Sequence, residues 1–263
     1  MAVRSLNPGI AESTLPHIRR IGMADLQDAI ARGVDDFRTM PSHVVFLSLI
    51  YSVMGLVLGK LAFGYELLPL LFPLVAGFAL VGPIAALGLY ELSRRREQGL
   101  STSWGDAFGV WRSPSIGGIV TLGILLLLIF GAWMDAAQAI YVLSFGTAEP
   151  PSLDGFATQV LTTREGWTLI LLGNGAGFLF AVGVLVISVV SFPMLLDRRV
   201  SATEAIATSI RAVAVNPGMM VIWGLIVAVS LAIGCLPFFV GLAIVLPVLG
   251  HTTWHLYRKM VIS

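Results

Sequence analysis

Four histidines, His17, His43, His251 and His255, are the side chains of this sequence best suited to chemistry. His251 and His255 stand four positions apart. On a helix that spacing puts both imidazoles on one face, where they can share a metal ion. His43 opens one apolar run and Glu91 closes the next. If those helix ends converge, His43, Glu91, His251 and His255 form a polar cluster able to bind a metal or relay a proton. The plainer reading is a set of separate interfacial groups wetted by lipid headgroups. A haem clasped between His251 and His255 is excluded, because two axial ligands must approach from opposite faces. No catalytic residue can be named: HExxH is absent and no Ser–His–Asp arrangement is visible. The lone Cys235 permits no internal disulfide and no thiolate zinc site. Neither a metal nor another cofactor is expected.

Two further features invite a site and have simpler explanations. Asp28, Asp106 and Glu204 fall at matching places in three polar phrases and could be read as ion ligands. Each also completes a potential capping box, Asp25 with Asp28, Ser103 with Asp106 and Ser201 with Glu204. Asn174, inside "GNGAGFLFA", is the polar candidate within an apolar run. It reads as an interhelical hydrogen-bond group before a substrate ligand. No Walker lysine follows that glycine-rich stretch, so it is not a nucleotide loop.

The elements that carry these residues are dictated by composition. The chain has 263 residues, 57% hydrophobic and 12% charged, too few polar groups to cover a soluble surface. Apolar stretches of about 20 residues recur, each long enough for roughly 30 Å of hydrocarbon. The fold class is therefore all-α, a polytopic helical membrane protein. Six transmembrane helices are read at roughly 43–63, 68–92, 115–142, 167–193, 218–234 and 238–258. Residues 1–24 form a polar N-terminal segment without a signal-peptide core, and residues 25–263 the membrane domain.

Basic residues set the orientation. Six spans leave 14 of the 16 Lys and Arg on the side of the termini, with only Lys60 and Arg164 opposite. The positive-inside rule makes that side cytoplasmic. The run "SRRREQG" is a topological anchor first and an anionic-lipid contact second. Nucleic acid is not an expected partner. Trp104, Trp111, Trp133, Trp167 and Trp254 read as interfacial belt residues.

Three polar phrases interrupt the apolar runs. Apolar residues recur at helical spacing in each: Leu26, Ile30, Val34 and Phe37; Trp104, Phe108 and Trp111; Ile206, Ile210 and Val213. Each phrase ends at a proline just before a span, namely Pro41, Pro114 or Pro217. Ser113 and Asn216, directly before two of these, are candidate N-caps. The outgoing segments "GPIAALGLYELSRR" and "LPVLGHTTWHLYRK" also match in spacing. The chain thus reads as three repeats, 25–100, 101–200 and 201–263, each an interfacial elbow helix followed by a transmembrane hairpin.

The stretch "IRRIGMADLQDAIARGVDDFRTMPSHVVFLSLIY", with "GPIAALGLYELSRRREQG" after it, resembles the bacterial membrane family called domain of unknown function 2189. The resemblance implies a bacterial inner-membrane protein with no established activity and no catalytic residues to transfer. Some relatives carry a label linking them to cytochrome c oxidase. The expected role is a non-enzymatic accessory, assembly or scaffolding factor whose partners are the lipid bilayer and other membrane proteins. A small transporter or channel is the alternative that internal repeats favour. A redox-complex subunit is the other.

Overall fold

The structure is a computed structural model and describes residues 16–40, 53, 68–147, 150 and 152–262. It is helical almost throughout. Among the described residues the only strands form a two-residue antiparallel ladder between β1 (His17–Ile18) and β2 (Val261–Ile262), with Ile18 opposite Val261. The ladder ties the two ends of the described chain together, a non-local pairing that no local pattern announces.

Helix α1 (Met23–Thr39) begins at Gly22, one turn earlier than the sequence suggests, with only the returning half of a capping box. The Asp25 carboxylate accepts from the Gly22 N–H at 3.0 Å. Asp28 is thereby freed to pair with Arg32 at 2.8 Å and Lys259 at 2.6 Å. Helices α2 (Leu71–Ala85) and α3 (Leu87–Glu97) form one long rod broken at Ala86. Pro83 sits just before the break and lacks the N–H that would continue the ladder. A 3-10 helix, Trp104–Arg112, carries the expected Ser103–Asp106 box.

Helix α4 (Ile116–Phe145) is one uninterrupted rod that stops at Gly146, whose φ of 77° suits glycine. Helix α5 (Leu153–Thr162) leads into α6 (Arg164–Ser188), and α7 (Ser191–Asp197) follows after a break. Ser209 braces that break: its hydroxyl donates to the Val186 carbonyl and accepts from the Val190 N–H. Ser209 belongs to α8 (Ala202–Val215), which starts in the Ser201–Glu204 box. Helices α9 (Pro217–Cys235) and α10 (Leu242–Met260) form the last hairpin.

Asn216 does not cap α9 with its side chain. Its amide oxygen accepts from the Ile21 N–H and its amide nitrogen donates to the Arg19 carbonyl. It clasps the incoming chain instead. Ser113 similarly serves the turn before α4, accepting from the Ser115 N–H.

Among the described residues, four helical stretches are long and apolar enough to cross a membrane: Leu68–Glu97, Ile116–Phe145, Arg164–Asp197 and Pro217–Cys235. The last expected span, 238–258, is present as α10 but does not meet that standard, because its second half holds polar side chains buried against protein. The first expected span, 43–63, lies outside the described residues.

The three polar phrases do fold as helices. In α1 the buried positions are Leu26, Ala29, Gly33 and Asp36. In α8 they are Ala205, Thr208, Ser209 and Ala212, while Ile210 is exposed. Phe108 and Trp111 are each 71% exposed. Small residues face the protein because they let backbones approach closely. Of the bulky residues, Leu26 is buried and Ile30, Ile206 and Val213 pack partly against the core, while Ile210, Phe108 and Trp111 turn outward. The tryptophans divide similarly: Trp111 and Trp167 are exposed, but Trp133 and Trp254 are buried. The Trp133 indole N–H donates to the Pro73 carbonyl at 2.8 Å, and Trp254 donates to Glu97 at 3.0 Å.

Candidate functional site

The densest buried polar cluster joins α1, α3 and α10. Its centre is Asp36, 2% exposed. Three features of local sequence bring it there. Helix α1 places Asp36 on the same face as Ala29 and Gly33. Gly33 lies so close to α10 that an added Cβ would sit 2.2 Å from Thr252 Oγ1 and 2.7 Å from its backbone nitrogen. Gly250 does the same toward α3, where a Cβ would fall 2.5 Å from Leu89 Cδ1. Two glycines thus let three helices meet within side-chain reach of one carboxylate.

Asp36 uses both oxygens. Oδ2 accepts from Ser93 Oγ at 2.6 Å and from His255 Nε2 at 2.8 Å. Oδ1 accepts from the Arg96 guanidinium, which also binds Asp35 at 2.6 Å. Ser93 Oγ lies 2.7 Å from His251 Nδ1. The serine has one proton and the carboxylate needs it, so His251 Nδ1–H donates to the serine oxygen. His251 Nε2 and Thr252 Oγ1 are buried without a hydrogen-bond partner. Burial alone would raise the Asp36 pKa. The hydrogen bonds from His255, Ser93 and Arg96 outweigh it and hold the carboxyl down to about 2. The cluster is therefore a buried carboxylate neutralised by arginine and hydrogen-bonded on every side.

Ser, His and Asp do come together here, contrary to the expectation from sequence. Their order is not that of a nucleophilic triad, in which histidine bridges acid and serine. Ser93 is the bridge, and it gives its proton to a carboxylate that cannot hand it on to a leaving group.

Two of the four residues expected to cluster do so. His251 and His255 share a face of α10 and both join the network. Glu91 does not: it points away, held by Arg94 through two hydrogen bonds at 2.7 and 2.8 Å. Residues 91 and 93 are two apart on a helix, so they diverge by about 200°. His43 lies outside the described residues. Asn174 is exposed and donates to the Ile170 carbonyl of its own helix at 2.8 Å, and among the described residues it bridges to no other helix. Among the described residues no group of three His, Cys, Asp or Glu side chains is arranged to hold a metal ion. Asp36, Ser93 and Arg96 went unrecognised in sequence. The usable signal was an acid in register with Leu26, Ala29 and Gly33.

A second network closes the same layer. Glu97 accepts from Trp254 and from Arg258, each at 3.0 Å. Asp197 accepts from the Tyr257 hydroxyl at 2.6 Å and Arg258 at 3.2 Å. Helices α3, α7 and α10 are thereby cross-braced.

Residues 71–197 match the family described as a predicted integral membrane protein (DUF2189). The resemblance read from the sequence is shown over that segment. It runs from the start of α2 to the end of α7, so it holds Ser93, Arg96, Glu91 and Asn174 but not Asp36, His251 or His255. No curated protein and no solved structure matches the chain.

Proposed function

We propose that this integral membrane protein is a non-enzymatic accessory or scaffolding factor that binds other membrane proteins or lipids. One observation carries the reading. The residues with catalytic character are sealed: Ser93 and His251 are 0% exposed and serve to join helices. A general base must reach the proton it abstracts, and these groups face only one another.

Six crossings with both termini on one side fit the described contacts. Arg19 touches both Asn216 and Met260, so the ends of the α9–α10 hairpin lie together. Ser115 Oγ donates to the Arg198 carbonyl, which closes the α4–α6 hairpin on the same layer. Arg96 meets Asp35 and Asp36, placing the end of α3 there too. Pro73 lies against Trp133, deep along α4, so the start of α2 is on the far side. This reading requires a return crossing, for which the sequence offers the apolar run 43–63. The exposed Ile210 of α8 and the exposed Phe108 and Trp111 of the Trp104–Arg112 helix suit a place in the interface, with these bulky groups in lipid. Counting basic residues makes that layer cytoplasmic.

Transport is the second reading, and one observation favours it. The unpartnered Nε2 of His251 is a buried lone pair in line with a hydrogen-bonded chain, as a proton path would need. Purification in mild detergent, with identification of co-purifying subunits and lipids, tests the first reading. Retention of a membrane subunit in fixed ratio supports it. Proton flux in liposomes that is abolished by His251→Ala defeats it in favour of transport. A Soret band in a reduced-minus-oxidised spectrum would instead promote the redox alternative.

A further inference from the structure

A cavity of about 480 Å3 opens where the end of α3, the Trp104–Arg112 helix and the end of α7 meet. It is separate from the Asp36 network. Its lining carries five arginines, Arg94, Arg95, Arg112, Arg198 and Arg199. Three carboxylates oppose them, which leaves an excess of two positive charges. Each carboxylate is already engaged. Glu91 is bound by Arg94, and Asp106 lies 3.1 Å from Arg95. Asp197 lies 3.7 Å from Arg198 and accepts from Tyr257 and Arg258.

Arg112 and Arg199 form no ion pair or hydrogen bond with any described residue, and both are exposed. Arg95 has a buried Nε with no partner. The cavity therefore presents unspent guanidinium donors, the groups that match the oxygens of a phosphate. Its other wall is apolar, formed by Phe108, Pro114, Leu195 and Leu196. Phe108 and the neighbouring Trp111 stand outward at the foot of α4, eight and five residues before a helix apolar enough to cross a membrane. A cationic mouth beside an apolar wall, at the end of a crossing helix, suits an anion that carries an acyl tail.

We propose that this cavity binds the phosphodiester headgroup of an anionic phospholipid, with Arg112 and Arg199 as its principal contacts. The site deepens the lipid half of the function proposed above and rests on it for its membrane setting.

The experiment uses full-length protein, delipidated in mild detergent and titrated with phosphatidylglycerol, with phosphatidylcholine of equal chain length, and with inorganic phosphate. Native mass spectrometry reads the bound fraction. Phosphatidylglycerol is expected to be retained over phosphatidylcholine. The Arg112→Ala/Arg199→Ala variant should bind it about 10-fold or more weakly. Arg112→Lys/Arg199→Lys should recover part of that loss, since charge remains while the forked geometry does not. Arg20→Ala/Arg38→Ala, which removes equal charge outside the cavity, should bind as the parent does. Equal loss in that control would mean diffuse attraction and overturn the site. Displacement of the lipid by millimolar phosphate, with no preference between lipids, would assign the cavity to a free anion and overturn the lipid. Membrane extraction of each variant only by detergent distinguishes loss of the site from loss of the membrane reading.

Discussion

His255 Nε2 donates to Asp36 Oδ2 across 2.8 Å, although the two residues are 219 positions apart. That bond, with Ser93 on the same oxygen and Arg96 on the other, fastens α1 to α3 and α10. A charge buried this far persists only if each lone pair is used. Arg96 retains contact with solvent, so the pair is neutralised without being fully desolvated.

Removing the acid should therefore cost more than removing a surface charge. Asp36→Ala strands Ser93 and His255 and is expected to destabilise the protein by about 3 kcal/mol. Asp35→Ala, which deletes the exposed partner of the same arginine, should cost under about 1 kcal/mol. Thermal unfolding of both variants in one detergent compares them; equal shifts would refute the central place of Asp36.

The same carboxylate makes stability depend on pH. Its folded pKa, about 2, lies below the usual 3.8. A lowered acid pKa stabilises the folded state above the unfolded value, and this contribution disappears as pH falls through the folded value. The window is thus about pH 4 down to pH 2. Between pH 5 and pH 2.5 the wild type should lose about 1–2 kcal/mol more than Asp36→Asn. Denaturant titrations at the two pH values give the difference, and parallel behaviour of the two proteins would count against it.

Close packing of α1 on α10 depends on a missing side chain. Gly33→Ala places a methyl inside Thr252 backbone distance and should destabilise by about 2 kcal/mol. Gly131→Ala in α4 meets nothing within 4 Å and should be neutral or slightly stabilising. Limited proteolysis near residue 20 is expected to accelerate only in the first variant. Acceleration in both would point to general fragility instead of this contact.

Topology can be read by labelling. In a Cys235→Ser background, single cysteines at Gln98 and Val200 should react from the side that holds the termini. A cysteine at Leu153 should react only from the opposite side. Labelling of positions 98 and 153 from one side would break the six-crossing arrangement.

Much of the framework was legible in the sequence because it is local. Prolines and capping boxes mark helix boundaries within a few residues, and Ser103–Asp106 and Ser201–Glu204 fall where read. Apolar runs of sufficient length announce candidate crossings, and the i, i+4 pair His251–His255 shares its face by helical geometry alone.

What lies against each face was settled only by tertiary structure. A helical stripe such as Ile206, Ile210 and Val213 says which side is apolar, not whether protein or lipid receives it. In water the stripe would seek the core; beside a bilayer both environments suit it. Close approach then goes to small residues, so Gly33 and Ala212 turn inward while Ile210 and Trp111 turn out. Asp36 followed Gly33 inward because it occupies the same face, and its partners came from helices more than fifty residues away. No local pattern encodes such a meeting. It exists because two glycines let three backbones close on one carboxylate, and because the arginine and histidine that reach it make its burial tolerable.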